Sequence, residues 1–195
     1  MKEKYIIVSA PSGAGKTTIV QSLINKGLPL EFSISATSRP PRNNEVNGQD
    51  YYFLNIDEFK NKIDKNEFIE YEEVYPGLFY GTLKTEIDRI KANGKYPIFD
   101  VDVKGGIKLK NIFGENALAI FIKPPNIEEL EKRLKKRNTE NEETLKKRLE
   151  RAKFELSMEP YFDIIIVNED LEKSINTAYD IVKDFLNKRK SSGGE

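Results

Sequence analysis

Residues 5–24 read Tyr5-Ile6-Ile7-Val8-Ser9, then Ala10-Pro11-Ser12-Gly13-Ala14-Gly15-Lys16-Thr17, then Thr18-Ile19-Val20-Gln21-Ser22-Leu23-Ile24. An apolar strand-like run, a turn with two glycines and a helical pattern follow one another, the context that a phosphate-binding loop requires. Gly13 and Gly15 have access to backbone conformations closed to other residues, so successive amide N–H groups are able to point at phosphate oxygens. The first turn of the following helix adds unpaired N–H donors and the positive end of its dipole. Lys16 supplies an ammonium for the β- and γ-phosphates, and Thr17 a hydroxyl for Mg²⁺. Ala10 stands where the pattern G-x-x-x-x-G-K-[ST] has its first glycine.

The rest of the chain alternates strands and helices around this opening. The first helix is expected to stop at Gly27, with Pro29 barring its continuation. Leu30 to Ser35 alternates apolar and polar in a strand period. The loop 36–42 then sets Arg39 and Arg42 three residues apart on either side of Pro40-Pro41. Two exposed arginines beside a proline turn is one reading. A fork for a second phosphate group is the other, since guanidinium pairs with phosphate bidentately, and the nearby glycine loop favours it.

Residues 51–54 and 68–74 read as strands, and Asn55-Ile56-Asp57-Glu58 as a capping box opening a helix to about Lys65. A turn at Pro76-Gly77 leads to another strand at 78–82. Residues 31–82 thus form a small, mostly β insert, in which an aromatic cluster is core material while Tyr51 and Tyr80 carry hydroxyls able to reach a ligand. A helix is expected from Thr82 to Asn93 with Gly94 just beyond it, then an apolar run, Tyr96 to Val101, leading to Asp102. Polar groups at the carboxyl ends of parallel strands line the ligand crevice of an open sheet. Asp100 and Asp102 are therefore site candidates, or else surface acids and helix caps. A helix over Val103–Phe113 and a buried strand at 117–122 follow.

Residues 126–155 are dense in charge, with a second capping box at Asn126–Glu129 and Leu130, Leu134, Leu145 and Leu149 as sparse apolar anchors. Arg133 and Arg137 share one helix face, and Asn138-Thr139 separates them from a second charged helix carrying Arg148. Composition alone fits a solvated helical hairpin. The functional alternative is a lid whose arginines reach phosphates on closure. A strand at 162–167 ending at Asn168, a helix over about 171–190 and a frayed tail at 191–195 complete the chain.

The sequence has 195 residues, with 32 Lys plus Arg balanced by 32 Asp plus Glu. That length fits one domain with inserted parts. The zero net charge argues against a general nucleic-acid surface or a polybasic membrane anchor. There is no cysteine and no histidine. Disulfides, thiolate metal sites and imidazole catalysis are thereby excluded, and a reducing cytoplasm is the expected location. Phosphoryl transfer suits what remains, because positioning and charge neutralisation dominate it. No apolar run approaches the ~20 residues needed to cross a bilayer, and residues 1–20 lack the apolar core of a leader.

Together the motifs resemble those of guanylate kinases, which transfer phosphate from ATP to GMP. The likeness runs nearly end to end: S-A-P-S-G-A-G-K-T at 9–17, F-S-I-S-A-T-S-R-P-P-R at 32–42, E-V-N-G-Q-D-Y-Y-F at 45–53 and E-F-I-E-Y at 67–71. It continues with F-Y-G-T at 79–82, F-D-V-D-V-K-G at 99–105, F-I-K-P-P at 121–125, R-L-K-K-R-N-T at 133–139, R-L at 148–149 and I-V-N-E-D-L at 166–171.

The resemblance implies an α/β fold, a P-loop NTPase-type parallel sheet flanked by helices. Its core would comprise 1–32, 84–125 and 157–190, with a GMP-binding insert at 33–83 and a helical lid at 126–156. It implies that Ala10, Pro11, Ser12, Gly13, Ala14, Gly15, Lys16, Thr17 and Thr18 hold ATP with Asn168 near the adenine, and that Thr17 meets Mg²⁺. Ser35, Glu70 and Asp102 would address guanine, with Asp100 close by and Thr82 beside the base. Arg39, Arg42, Tyr51 and Tyr80 would hold the GMP phosphate. Lys16, Arg39, Arg133, Arg137 and Arg148 would be the catalytic cations. The implied products are ADP and GDP, with dGMP as a further acceptor, and the expected state is a monomer or homodimer without nucleic-acid or membrane partners.

Asn43-Asn44 departs from the usual Pro-Gly, Lys104 from a common Gln and Asn138 from the lid glycine. None of these removes a charge-bearing site residue. The alternatives are a kinase for another phosphorylated nucleoside or sugar, a non-catalytic phosphopeptide-binding domain of scaffold proteins, and a GTPase switch. The intact Gly15-Lys16-Thr17 disfavours the scaffold domain. Chemistry adds its own support for Glu70: one carboxylate can accept both N1–H and N2–H of guanine, but it faces a lone pair at N1 of adenine.

Overall fold

The computed structural model of the chain describes residues 3–136 and 142–188. Strand β1 (Tyr5–Ser9) lies at the centre of a five-stranded parallel sheet in the order β2-β7-β1-β8-β9, with β2 Leu30–Phe32, β7 Tyr96–Val101, β8 Ala117–Lys123 and β9 Ile164–Val167. The pleat sends alternate side chains to opposite faces. Ile6 and Val8 of β1, with Leu118, Ile120 and Ile122 of β8, enter a core shared with helices α1 (Lys16–Asn25) and α7 (Leu171–Asn187). Tyr5, Ile7, Ala117, Ala119 and Phe121 enter a second core on the other face, with α3 (Lys84–Ala92) and α4 (Val103–Phe113). Burial on both faces explains why β1 and β8 read as continuous apolar runs. The expectation of an α/β sheet flanked by helices is met.

The stretch 30–35 is two strands rather than one. The chain leaves β2 at Phe32 and starts β3 (Ala36–Thr37) in a separate four-stranded mixed sheet, β4-β3-β6-β5, with β4 Tyr52–Phe53, β5 Phe68–Tyr75 and β6 Leu78–Leu83. This second sheet is the expected insert. It has its own small core, in which Phe59 of α2 (Ile56–Asp64) stacks on Phe68 and Phe79 at centroid distances of 4.4 and 5.3 Å. The capping box of α2 is present, Asn55 accepting from the Glu58 amide and Glu58 from the Asn55 amide. Asn44, where Pro-Gly is usual, has φ +74°, a left-handed conformation that Asn tolerates better than most residues. The Pro76-Gly77 turn is a tight two-residue hairpin pairing Tyr75 with Leu78.

Glu86 fastens the insert to the main sheet. Its buried carboxylate accepts from the Ile34 amide (2.8 Å), the Tyr52 hydroxyl (2.7 Å) and the Arg89 guanidinium (2.9 Å). Helices α5 (Ile127–Lys136) and α6 (Glu142–Leu156) form the charged pair expected after β8. Their apolar anchors are not as sparse in space as in sequence: Leu130, Leu134 and Ala152 are buried, with Ile127, Leu145 and Leu149 packed against them. Helix α3 starts at Lys84, two residues later than expected, because Thr82 and Leu83 still pair with β5. The interruption at Asn138-Thr139 and the tail 191–195 lie outside the described residues.

Candidate active site

The carboxyl ends of β1 and β7 sit side by side in the sheet, so the glycine loop meets the acids of 100–102. Gly13 and Gly15 have φ of +92° and +97°, which the reading of a phosphate cradle demands. The Lys16 ammonium lies 2.5 Å from Asp100 Oδ1 and donates to the Val101 carbonyl at 2.7 Å, while the Thr17 hydroxyl donates to Asp100 Oδ2 at 2.8 Å. One carboxylate therefore holds both residues expected to meet phosphate and cation. Ala10, Pro11 and Ala14 are buried, whereas Ser12, Thr17 and Thr18 are exposed.

Asn168, expected near an adenine, is buried and donates its amide to the Ala14 carbonyl at 2.7 Å. Its amide also abuts Gly15 so closely that a side chain there would collide with it. Asn168 thus shapes the loop from beneath. From above, a Cβ on Gly13 would meet Leu134 and Leu130 of α5 at 3.1 and 3.2 Å.

A second cationic centre stands on the insert. Arg39 donates from Nη1 and Nη2 to the two oxygens of Glu45 at 2.6 and 2.7 Å, and from Nε to the Tyr80 hydroxyl at 3.2 Å. Its guanidinium lies 4.9 Å from the Tyr51 ring centre and 5.5 Å from that of Phe53, within cation–π range. The Arg42 amide donates to the same Glu45 carboxylate at 2.7 Å. Glu45 is held well below the usual carboxylate range, at about 2, by the Arg39 side chain first and the Arg42 amide second. Arg39, Tyr51 and Tyr80 are thus together, and the Arg42 backbone is anchored beside them. Ser35 is half-buried, and its carbonyl accepts from the Tyr52 amide.

The third part of the site is acidic. Glu70 is 7% exposed and accepts from the buried Thr82 hydroxyl at 2.8 Å. Burial pushes its carboxyl up to about 7, the Thr82 hydroxyl opposing the shift and the nearby Asp102 adding to it. Asp102 caps α4, its Oδ1 accepting from the Gly105 amide at 2.7 Å. A Cβ on Gly105 would sit 3.3 Å from Asp102 Oδ1 and 3.4 Å from Glu70 Oε2, so both carboxylates flank the same glycine. Asp102 is thus a helix cap, whereas Asp100 caps nothing and is engaged by Lys16 and Thr17.

Arg133 of α5 pairs with Glu129 (3.0 Å) and donates to the Asn168 carbonyl (3.0 Å), at the edge of the glycine loop. Arg148 is half-buried on α6, and Arg137 lies outside the described residues. Sequence reasoning missed Glu45, Glu86 and Arg151, whose guanidinium lies 3.6 Å from Asp102 Oδ2. For Glu45 a signal existed, an acid three residues after Arg42 within a quoted motif. For Glu86 and Arg151 no local pattern marks the pairing.

Among the described residues no group of three or more carboxylates could hold a metal by itself. No described helix is long and apolar enough to cross a membrane.

The guanylate kinase family model matches residues 2–188. A guanylate kinase of Bacteroides fragilis is 51% identical over 183 residues, covering 94% of this chain and 90% of that protein. One from Porphyromonas gingivalis is 50% identical over 186 residues, covering 95% and 99%. The crystal structure of guanylate kinase from Anaplasma phagocytophilum superposes with a TM-score of 0.77 at 31% identity, covering 95% of this chain and 87% of that one. With sequence, fold and relatives agreeing over nearly its whole length, the chain belongs to the guanylate kinase family.

Proposed function

We propose that this guanylate kinase carries ATP on the glycine loop and GMP against the insert, and passes the γ-phosphoryl group between them to give ADP and GDP. The observation that carries the base assignment is Glu70, a buried carboxylate with Thr82 on one oxygen and Asp102 across Gly105 from the other. Such a group accepts N1–H and N2–H of guanine together. Adenine would leave it unpaired, a discrimination worth up to ~10⁴-fold.

Lys16 leaves Asp100 for the β- and γ-phosphates, and the loop amides from Gly13 to Thr18 take the remaining phosphate oxygens. Ala10, Pro11, Ser12 and Ala14 shape that loop, and Asn168 supports it beside the adenine. On the acceptor side Arg39, Arg42, Tyr51 and Tyr80 hold the GMP phosphate, with Ser35 and Thr82 lining the pocket. The Arg39 and Tyr80 pairing supports this reading, because a hydroxyl accepting from a guanidinium turns its own proton outward. No side-chain base is needed, since the acceptor phosphate is already an oxyanion at neutral pH.

Oxygen donors suit Mg²⁺, and Thr17 and Asp100 supply a hydroxyl and a carboxylate at the end of the loop. The absence of a larger acidic cluster among the described residues fits a Mg²⁺ held chiefly by substrate phosphates. When bound, that ion would neutralise charge on the β- and γ-phosphates. Arg133, Arg137 and Arg148 act from a lid over 126–156 that closes when both nucleotides lie beneath it. The insert at 33–83 and the core at 1–32, 84–125 and 157–190 are the other two parts. Reaction with dGMP, a cytoplasmic location and a monomeric or homodimeric state belong to the same proposal.

The test is ADP release with ATP and each of GMP, AMP, CMP and UMP. GMP should exceed the others by orders of magnitude. Turnover of AMP equal to that of GMP would sink the guanine assignment.

A further inference from the structure

A cavity of about 440 Å³ lies between the end of β5, the start of α4 and helix α6. Arg151 stands in its wall and touches all three. Its Nε donates to Glu155, one turn further along α6, at 2.8 Å. Its Nη2 lies 3.6 Å from Asp102 Oδ2, and its guanidinium is 5.9 Å from the Tyr75 ring centre on β5. Asp102 Oδ1 is committed to capping α4, so Oδ2 is the oxygen left to meet a ligand. Lys104 at this edge and Lys108 one turn further along α4 are engaged with Glu72.

We infer that Arg151 is a positioning residue for the guanine end of the site: it holds Asp102 Oδ2 toward the base and ties that oxygen to the lid helix. The inference rests on the guanine-site reading above. Asp102 lies close enough to Glu70 and to Glu155 to act on the charge of each, and Arg151 is the guanidinium that holds it in place. The 3.6 Å separation is an ion pair without a directed hydrogen bond, so the lone pairs of Oδ2 stay available to N–H donors. Arg148 lies three residues before Arg151 and is its neighbour on the helix surface. The contact of Arg151 with Asp102 therefore fixes the part of α6 that presents Arg148, and base and lid report to each other through one side chain.

The pair is partly exposed, which limits the loss on breaking it to about two- to fivefold in GMP affinity. Arg151→Met should raise KM for GMP by that factor and leave KM for ATP unchanged, and Arg151→Lys should recover most of the loss. Glu155→Gln, which breaks the intrahelical pair but keeps the Arg151 charge, should leave the GMP KM near wild type.

A double-mutant cycle with Asp102→Asn separates positioning from packing. With the Asp102 charge removed, Arg151→Met should have no further effect on the GMP KM. Equal effects of Arg151→Met in both backgrounds would overturn the inference while sparing the guanine-site reading. An Asp102→Asn enzyme with unchanged GMP KM would overturn that reading and the inference with it. Equal rises in both substrates' KM for Arg151→Met would reassign the residue to helix packing.

Discussion

Glu70→Gln separates what the guanine site does for binding from what it does to the fold. In the ligand-free protein the Glu70 carboxyl titrates at about 7 instead of the ordinary 4.5, because it is buried with one hydroxyl donor. At 1.36 kcal/mol per pH unit, that displacement disfavours the ionised folded state by about 3 kcal/mol. The group is 7% exposed, so solvent screening reduces this little. Its folded pKa lies above its unfolded one. The stability it contributes is fully present below pH ~4.5 and lost as pH rises through 7. Gln has no such titration. The stability difference between Glu70→Gln and wild type should therefore shift by about 3 kcal/mol in favour of the variant from pH 4.5 to pH 8. Urea denaturation of both proteins without nucleotide measures it. GMP reverses the preference, since its two donors favour the carboxylate. At pH 8 the substitution should weaken GMP by roughly 1–3 kcal/mol, the range for a hydrogen bond to a charged group. Below pH 7, wild-type affinity for GMP should fall about tenfold per pH unit. The nucleotide's own phosphate gains a proton near pH 6. Titration of the Gln variant reports that contribution alone and is subtracted. A wild-type-to-variant stability difference that is the same at pH 4.5 and pH 8 would refute the argument, because the burial of Glu70 would then have no energetic weight.

Lys16→Ala should cut kcat by at least ~10²-fold, the scale for losing one electrostatic partner of the transition state, and a retained half of the activity with intact circular dichroism rejects the loop assignment. Gly13→Ala forces a side chain into φ +92° and against Leu130 and Leu134; thermal unfolding should show a loss of about 1–2 kcal/mol, and an unchanged midpoint contradicts the contact of α5 with the loop. Glu45→Gln removes the bidentate partner of Arg39; KM for GMP should rise several-fold with KM for ATP unchanged, whereas a lower GMP KM would make Glu45 a competitor of the phosphate.

What could be read from the sequence divides along physical lines. Signals that act within a few residues came through: the strand, glycine loop and helix of 5–25, the Asn55 capping box and Gly94 beyond α3, which has φ +69°. The break inside 30–35 did not. Apolar and polar residues alternate through 30–35 without a break, and nothing local says that Leu30–Phe32 and Ala36–Thr37 belong to different sheets. The same limit governs the helix pair α5 and α6. Counting Leu130 and Leu134 among many charges gave a weakly anchored hairpin, yet the pair lands on Gly13, a glycine whose lack of a side chain was read only as backbone freedom. The candidate site residues were named from the sequence because the motifs carry them. Their partners across the fold, such as Arg151 for Asp102 and Glu86 for Tyr52, have no spacing that a sequence could display.

The pairing of these charges explains how a chain of zero net charge can receive two polyanionic nucleotides. Lys16 and Thr17 are held by Asp100, and Arg39 is held by Glu45 with the Arg42 amide on the same carboxylate. Lys16 and Arg39, one cation from each side of the proposed site, thus already lie in ion-pair geometry with an anion of the protein. Binding then exchanges one anionic partner for another, or adds a second, instead of first desolvating a lone cation. It also avoids fixing a long flexible side chain at the moment of binding, which for Lys or Arg would cost on the order of 0.5–1.5 kcal/mol each. At Lys16 the same arrangement limits affinity, because part of the new contact replaces the one to Asp100. A transferase that must release GDP and ADP after every turnover is served by that limit: the groups are in place for the transition state, yet none gains its whole interaction energy from the ground-state nucleotide.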